Sequence, residues 1–384
     1  MEIRFSFMEG VKTEKLIRLS KSFLGEKEKL AVKGVLDRDF LGMGSEVQEF
    51  EEALAEFFGR KVICVSNGTA SLQLALEACN IGVGDEVLVQ SLTYIASFQA
   101  ISATGAKPIA CDISPMSLTL DLKDAEKRLT PKTKAIMPVH YSGGVGNLDE
   151  IYAFAEKHSL RVIEDAAHAF GGKYKRQRIG SFGDISCFSF DGIKNITSGE
   201  GGCIVSDDAM IIEKVKNSRL LGVQKDSEKR YKGDRSWNFD VSEQGWRYHM
   251  SNIMAAIGLT QLEKFQEMAE KRQSLALRYD HFFANHRMIN CIPHDYSEVV
   301  PHIYVVRISG MQNRDLIQEK MIKLGIQTGI HYQPNHILSF YKQKNSSTLP
   351  VTDSIFPELL SLPLHPGLND KDISYISKSL LELI

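Results

Sequence analysis

The sequence has no long hydrophobic run, no closely spaced cysteine pair and almost no imbalance of charge. No stretch approaches the roughly 20 apolar residues of a membrane span, so a helical membrane protein is not expected. The first 25 residues carry charges throughout and hold no apolar stretch of the kind a secretion signal needs. The expected location is therefore cytoplasmic. A net charge of -2 leaves no global electrostatic footprint for nucleic acid. Cys64, Cys79, Cys111, Cys187, Cys203 and Cys291 are scattered, mostly inside apolar runs, and none falls in a Cys-x-x-Cys pair. They read as reduced core thiols of an intracellular chain, and no metal site is expected from them. Internal repeats and low-complexity segments are also missing.

What is present is enough apolar sequence for sizeable cores: 43% of 384 residues. That length exceeds one average domain, and two domains sharing an interface are expected. Residues 26–36 suit a helix, and Phe40-Leu-Gly-Met-Gly44 reads as a turn. Ser45 and Gln48 have capping-box spacing. Val47, Phe50, Leu54, Phe57 and Phe58 then follow at helical spacing up to Gly59.

Residues 61–65 form a short apolar run expected to be a buried strand. It leads through Ser66-Asn-Gly-Thr69 into an almost wholly apolar helix over 70–79. A strand, a glycine turn and a helix start make a natural anion site, because free N–H groups and the helix dipole point at one spot. An ordinary turn capped by Thr69 is the simpler reading of the same residues. Further strands are expected at 86–90, 108–112, 135–139, 161–165, 186–190 and 203–206, with helices over 98–104 and 148–158. Strands alternating with helices predict an α/β fold with a mostly parallel sheet covered on both faces. Ligands of such sheets collect at the carboxyl ends of the strands. Thr69, Tyr94, Asp165 and Lys194 all follow strand ends, so one edge can gather them.

Residues 223–245 are polar, with Trp237 and Phe239 isolated among charges, and read as a long loop. Beyond them, helices are expected over 251–265, 267–285 and 370–384. Strands are expected near 304–308 and 327–330, with a helix between them.

The stretch Phe188-Ser-Phe-Asp-Gly-Ile-Lys194-Asn-Ile-Thr-Ser-Gly-Glu-Gly-Gly202 holds one lysine among apolar, hydroxyl and glycine residues. Packing that desolvates an ammonium frees a neutral amine to attack a carbonyl. An imine-forming lysine, a strand-end carboxylate, a phosphate-sized anion site and an aromatic ring together suit pyridoxal 5′-phosphate. Its aldehyde wants the amine, its ring nitrogen the carboxylate, its phosphate the helix start and its flat ring the aromatic face.

At this point the chain resembles the sugar aminotransferases of the DegT/DnrJ/EryC1/StrS family, within the fold-type I pyridoxal phosphate enzymes. The resemblance runs from about Phe40 to Leu368. It is carried by Asn67-Gly-Thr-Ala-Ser71, Glu164-Asp-Ala-Ala-His168, the Lys194 segment, Tyr248-His-Met-Ser-Asn-Ile with Ala255-Ala-Ile-Gly258, and His331-Tyr332. It implies a large α/β cofactor domain over 1–250, a smaller C-terminal α+β domain over 251–384, and a homodimer with shared sites. It further implies that Lys194 holds the cofactor and moves a proton to and from the substrate carbon. Asp165 is implied as the partner of the ring nitrogen, His168 of the phenolic oxygen and Tyr94 of the ring face. Gly68, Thr69, Ala70 and Ser189 are implied for the phosphate, and His331 and Tyr332 lie near the sugar site.

Arg247 stands where many relatives have an Asn that reaches the neighbouring subunit's cofactor phosphate. Its charged fork suits a phosphate, a substrate carboxylate or solvent. Asp191-Gly192 replaces a frequent His-Pro or Tyr-Pro. The implied reaction moves an amino group from L-glutamate, leaving 2-oxoglutarate, to a keto sugar by way of pyridoxamine phosphate. Nucleotide-linked 4-keto-6-deoxyhexoses for surface polysaccharide are the commonest family substrates; a keto sugar acid such as an 8-oxo-octulosonate of lipopolysaccharide synthesis is the alternative. Dehydratases of this family replace the lysine by His, and a non-catalytic regulator would be expected to lose Lys194 or Asp165; both residues are present.

Overall fold

The computed structural model describes residues 16–241, 243–311, 313–342 and 348–384. Twelve strands are β1 Lys61–Val65, β2 Glu86–Gln90, β3 Lys107–Cys111, β4 Thr133–Met137, β5 Arg161–Asp165, β6 Lys173–Tyr174, β7 Gln177–Arg178, β8 Ile185–Ser189, β9 Gly202–Ser206, β10 Ile289–Cys291, β11 Tyr304–Ile308 and β12 Leu359–Leu362. The helices are α1 Glu26–Asp37, α2 Ser45–Phe58, α3 Gly68–Ala78, α4 Ile95–Ala103, α5 Leu122–Lys127, α6 Leu148–His158, α7 Ala209–Ser218, α8 Asp226–Tyr231, α9 Asn252–Glu263, α10 Phe265–Phe283, α11 Arg314–Lys323, α12 Pro350–Ile355 and α13 Asp370–Leu381.

Seven strands form the main sheet in the order β1-β9-β8-β5-β4-β2-β3. Helical crossovers α4, α5 and α6 carry the chain from β2 through to β5, which is why those strands run parallel. The exception is β9, antiparallel to both β1 and β8. No helix separates β8 from β9; the chain simply turns back, and Lys194 lies on that reversal.

Strand residues alternate between two apolar layers. Val62, Cys64, Leu88, Val162 and Val205 join a cluster with Phe50, Leu54 and Phe58 of α2. Ile63, Val65, Val87, Val89 and Ile163 face the other way, onto Leu72, Leu74 and Leu76 of α3. Burial on both faces explains why these strands read as continuous apolar runs. α3 is apolar nearly all round because it is covered on all sides, and most of its residues are buried.

A smaller antiparallel sheet, β10-β11-β12, packs its apolar face on α10 and α13. α10 runs between the two bodies of structure. Its Phe265, Met268 and Ala269 lie in the first cluster, while Leu275, Ala276, Tyr279 and Phe283 lie in the last. Among the described residues no helix is long and apolar enough to cross a membrane, and all six cysteines are free thiols.

Three local expectations are corrected. Ser45 does not cap α2: the helix begins at Ser45 and Gly44 is its N-cap, with no side-chain cap. A Cβ on Gly44 would lie 2.7 Å from the Phe40 ring and 2.8 Å from the Asn252 side chain, so close packing rather than capping sets this start. Residues 223–245 are not all loop, since α8 forms within them. The expected strand near 327–330 is replaced by single bridges, Ile326 to Ile17 and Gly329 to Ser361. The third strand of the small sheet is β12, whose residues are all buried.

α8 is held by a buried network. Glu51 Oε1 accepts from the Cys64 N–H at 2.7 Å and from Arg219. Arg219 also donates to Tyr231 of α8 at 2.8 Å, and Tyr231 donates to Glu51 Oε2. Arg219 is fully buried. Glu51→Ala would strand this guanidinium, and the expected loss is about 3–5 kcal/mol of unfolding free energy by urea titration. A loss below about 1 kcal/mol would show that the network does not support the fold.

Candidate active site

Because β1, β2, β4, β5 and β8 run the same way, their carboxyl ends share one edge of the sheet. A cavity of about 700 Å³ opens there. Gly68, Thr69, Ala70, Tyr94, Asp165, His168, Ser189, Lys194, His331 and Tyr332 all line it. Arg247 does not: it is exposed, although the next residue, Tyr248, is part of the lining.

After β1 the chain enters α3 through Asn67, whose side chain accepts from the Ala70 N–H at 2.8 Å. Asn67, not Thr69, is therefore the cap. Ala70 lines the cavity with its N–H already engaged, while the N–H groups of Gly68 and Thr69 open the helix without intrahelical acceptors. A Cβ on Gly68 would sit 2.8 Å from Ser189 Cβ. Glycine thus lets the helix start lie directly against the end of β8, beside the Ser189 hydroxyl.

Asp165 closes β5 and is 5% exposed. Its Oδ2 accepts from Ser97 at 2.7 Å and its Oδ1 from the Ala167 N–H at 3.2 Å. Among the described residues no Lys or Arg forms an ion pair with it. A buried carboxylate held only by neutral donors favours a cationic group in the space it faces.

Lys194 follows a tight turn in which its N–H bonds the Asp191 carbonyl and the Ile193 N–H bonds the Asp191 side chain. The next residue, Asn195, is buried and donates to the carbonyls of Phe170 and Val300, both at 3.1 Å. Lys194 Nζ lies 3.4 Å from His302 Nε2. Burial pushes the amine down to about 8, against the opposing pull of Asp165 and Asp191. At pH 7 about one amine in ten is then neutral, against about one in three thousand at the ordinary lysine value.

Aromatic and imidazole rings line the opposite wall. Tyr94, 56% exposed, has its ring centroid 5.4 Å from that of Tyr332. Tyr332 Oη lies 3.0 Å from His168 Nε2, and His168 packs on His302 at 4.5 Å between ring centroids. His331 Nδ1 is 2.7 Å from Ser361 Oγ of β12, and the His331 carbonyl accepts from Tyr141. Burial, then the charge of Lys194, holds His168 and His302 well below the usual histidine range and His331 down at about 4. His168 Nδ1 is buried without a partner.

His302 was not legible as a site residue. It sits in an apolar stretch far along the chain, and only the fold brings it to Lys194. Asp191, Glu200, Gln73 and Tyr248 also line the cavity, none of them given a role from the sequence.

A seven-stranded, mostly parallel sheet with this edge defines a fold-type I pyridoxal phosphate-dependent aminotransferase. The chain belongs to the DegT/DnrJ/EryC1/StrS aminotransferase family, whose model matches residues 23–381, and is a sugar aminotransferase of it. It is 34% identical over 370 residues to the spore coat polysaccharide biosynthesis protein SpsC of Bacillus subtilis, covering 94% of this chain and 95% of that one. It superposes on the PLP form of Spr1654 from Streptococcus pneumoniae with TM-score 0.89 and 30% identity, covering 95% and 98% of the two chains. Helicobacter pylori PseC, an aminotransferase involved in pseudoaminic acid biosynthesis, matches with TM-score 0.88 and 29% identity over 96% and 99%.

The donor set fits pyridoxal phosphate. Asp165 is a buried acceptor without an ion-pair partner among the described residues, Gly68 and Thr69 present N–H groups beside the Ser189 hydroxyl, and His168 and Lys194 line the same space. In the full-length chain freed of cofactor, acetylation of Lys194 should rise with pH through a midpoint near 8. Competitive labelling with quantification of the Lys194 peptide checks this; a midpoint at the ordinary lysine value would contradict the enclosure described above.

Proposed function

We propose that the chain moves the amino group of L-glutamate to a nucleotide-linked keto-deoxyhexose, releasing 2-oxoglutarate, in the synthesis of a surface polysaccharide. It does so as a cytoplasmic homodimer, with a cofactor-bearing unit over about 1–250 and a smaller unit over 251–384. The observation that carries this reading is the Lys194 amine, held at about 8 inside a cavity of about 700 Å³ that also contains the unpaired Asp165 carboxylate.

When bound, pyridoxal phosphate supplies an aldehyde for amine exchange and a protonated ring that draws electrons from the substrate carbon. Lys194, in its neutral form, would hold the cofactor through that aldehyde, and its free amine would hold and return the proton of the substrate carbon. Asp165 holds the ring nitrogen in its protonated form. The N–H groups of Gly68 and Thr69, the Thr69 and Ser189 hydroxyls and the helix dipole of α3 hold the phosphate, and Ala70 closes that cradle. Tyr94 would cover the ring face, and His168 would meet the phenolic oxygen. His331 and Tyr332 shape the wall that meets the sugar. Donor and acceptor use this cavity in turn.

The charge of the cavity supports a second copy in the site. Its described lining holds three carboxylates, Asp165, Asp191 and Glu200, and one strong cation, Lys194. The histidines add no charge at neutral pH. Glutamate and a nucleotide diphosphate are both anionic, so their affinity calls for cations from beyond one chain's lining, and the exposed Arg247 of a second copy is suited to that.

Incubation with L-glutamate and a panel of keto sugars, read by mass spectrometry, should give an amino sugar only from nucleotide-linked substrates, with 2-oxoglutarate in equal amount. Lys194→Ala should cut turnover at least about a thousandfold. Amination confined to a free keto sugar acid would move the substrate to that class, and a dehydrated product without nitrogen would end the reading.

A further inference from the structure

Arg272 is a buried guanidinium without a carboxylate. It lies on α10 and is 2% exposed. All its acceptors are backbone carbonyls. Nη1 donates to His302 at 3.1 Å, Leu364 at 3.3 Å and Pro301 at 3.5 Å. Nη2 donates to Ile193 at 3.4 Å and to Lys194 at 3.5 Å, and Nε is buried without an acceptor. Among the described residues no Asp or Glu pairs with it. These carbonyls come from three separate segments, and two of the segments carry Lys194 and its neighbour His302.

A buried cation facing only neutral dipoles is an expensive way to tie three loops together. A neutral amide would donate to two of those carbonyls at lower cost. What a neutral group cannot do is repel a second positive charge. Around the Lys194 amine stand Asp165 at the end of β5, Asp191 on its own loop, the imidazoles of His168, His302 and His331, and the Tyr332 phenol. The two carboxylates favour the ammonium form, and none of the imidazoles is charged at neutral pH. Burial and Arg272 are what oppose them.

We propose that Arg272 is a positioning residue for the transamination: its charge, seated on the carbonyl of the reacting residue itself, weakens the hold of the Lys194 amine on its proton. The same guanidinium fixes the Lys194 and His302 backbones so that Nζ meets the His302 imidazole. Like charge in a poorly solvated site disfavours the protonated amine. The direction agrees with the downward influence of Arg272 on both Lys194 and His302. The proton that Lys194 loses leaves through the open cavity to water.

The inference rests on Lys194 being the reacting amine, and the two fail separately. Turnover by Lys194→Ala would sink that reading; the present one is read from the amine's protonation. The test is competitive acetylation of Lys194 across pH in the full-length chain freed of cofactor, comparing wild type, Arg272→Gln and Arg272→Lys. Folding of each is checked by a cooperative thermal transition. Arg272→Gln should raise the midpoint by about one pH unit, and Arg272→Lys, which restores a cation, should bring it back toward wild type. An unchanged midpoint in Arg272→Gln overturns the proposal, as does an equal rise in Arg272→Lys. Failure of both variants to fold would leave Arg272 a structural clamp and would equally overturn it.

Discussion

The structure depends on keeping one ammonium group poorly solvated. Lys194 would hold its proton firmly in water, and two carboxylates beside it, Asp165 and Asp191, strengthen that hold. Enclosure at the sheet edge has to outweigh both. It does so because the chain turns back between β8 and β9 through the buried residues Asn195–Ser198, so the lysine is presented from a packed reversal rather than from a helical crossover. Asn195 then anchors that reversal to the carbonyls of Phe170 and Val300. The single antiparallel strand in an otherwise parallel sheet is thus the feature that places the amine.

The same enclosure acts on the neighbouring groups. His168, His302 and His331 are held neutral by burial and by the charge of Lys194. They therefore serve as hydrogen-bonding rings rather than as cations. Tyr332, which contacts both His168 and Tyr94, keeps its proton because burial, then the nearby acidic groups, disfavours the phenolate. The wall is neutral and aromatic, while the opposite side carries the helix start of α3. This polarity suits a molecule with an anionic end and a flat ring.

Much of this was legible from local pattern. Strands such as β1 and β5 announce themselves as apolar runs because both sheet faces are covered, and α3 by its apolar surface. The lysine segment was legible because lysine among apolar and glycine residues is unusual. What was not legible depended on distant packing. Ser45 had the right spacing for a capping box, but contact of Gly44 with Phe40 and Asn252 moved the helix start. The polar stretch 223–245 concealed α8, whose anchor is Glu51, a residue far back in the chain. β12 is four residues ending before Pro363, too short to show a period. His302 and Arg272 carried no local signal, since each matters only through the fold that brings it under Lys194.

This division has a physical reason that bears on function. The groups proposed to touch the cofactor follow strand ends, where sequence and structure are tightly linked, so reaction type is written locally. Charge balance is a sum over segments that meet only after folding. Arg272 contributes to that sum through carbonyls of three segments, and no short motif records it. The same holds at the rim, where Asp191 and Glu200 make the mouth of one chain's cavity acidic. An acidic mouth repels the anionic substrates that the proposed reaction uses, unless a second copy brings basic groups to it. On that reading one chain supplies the chemistry and the pair supplies the substrate affinity. Changes in the basic groups of the second copy would then alter which sugar is aminated, whereas Asp191 acts on the protonation of Lys194 as well.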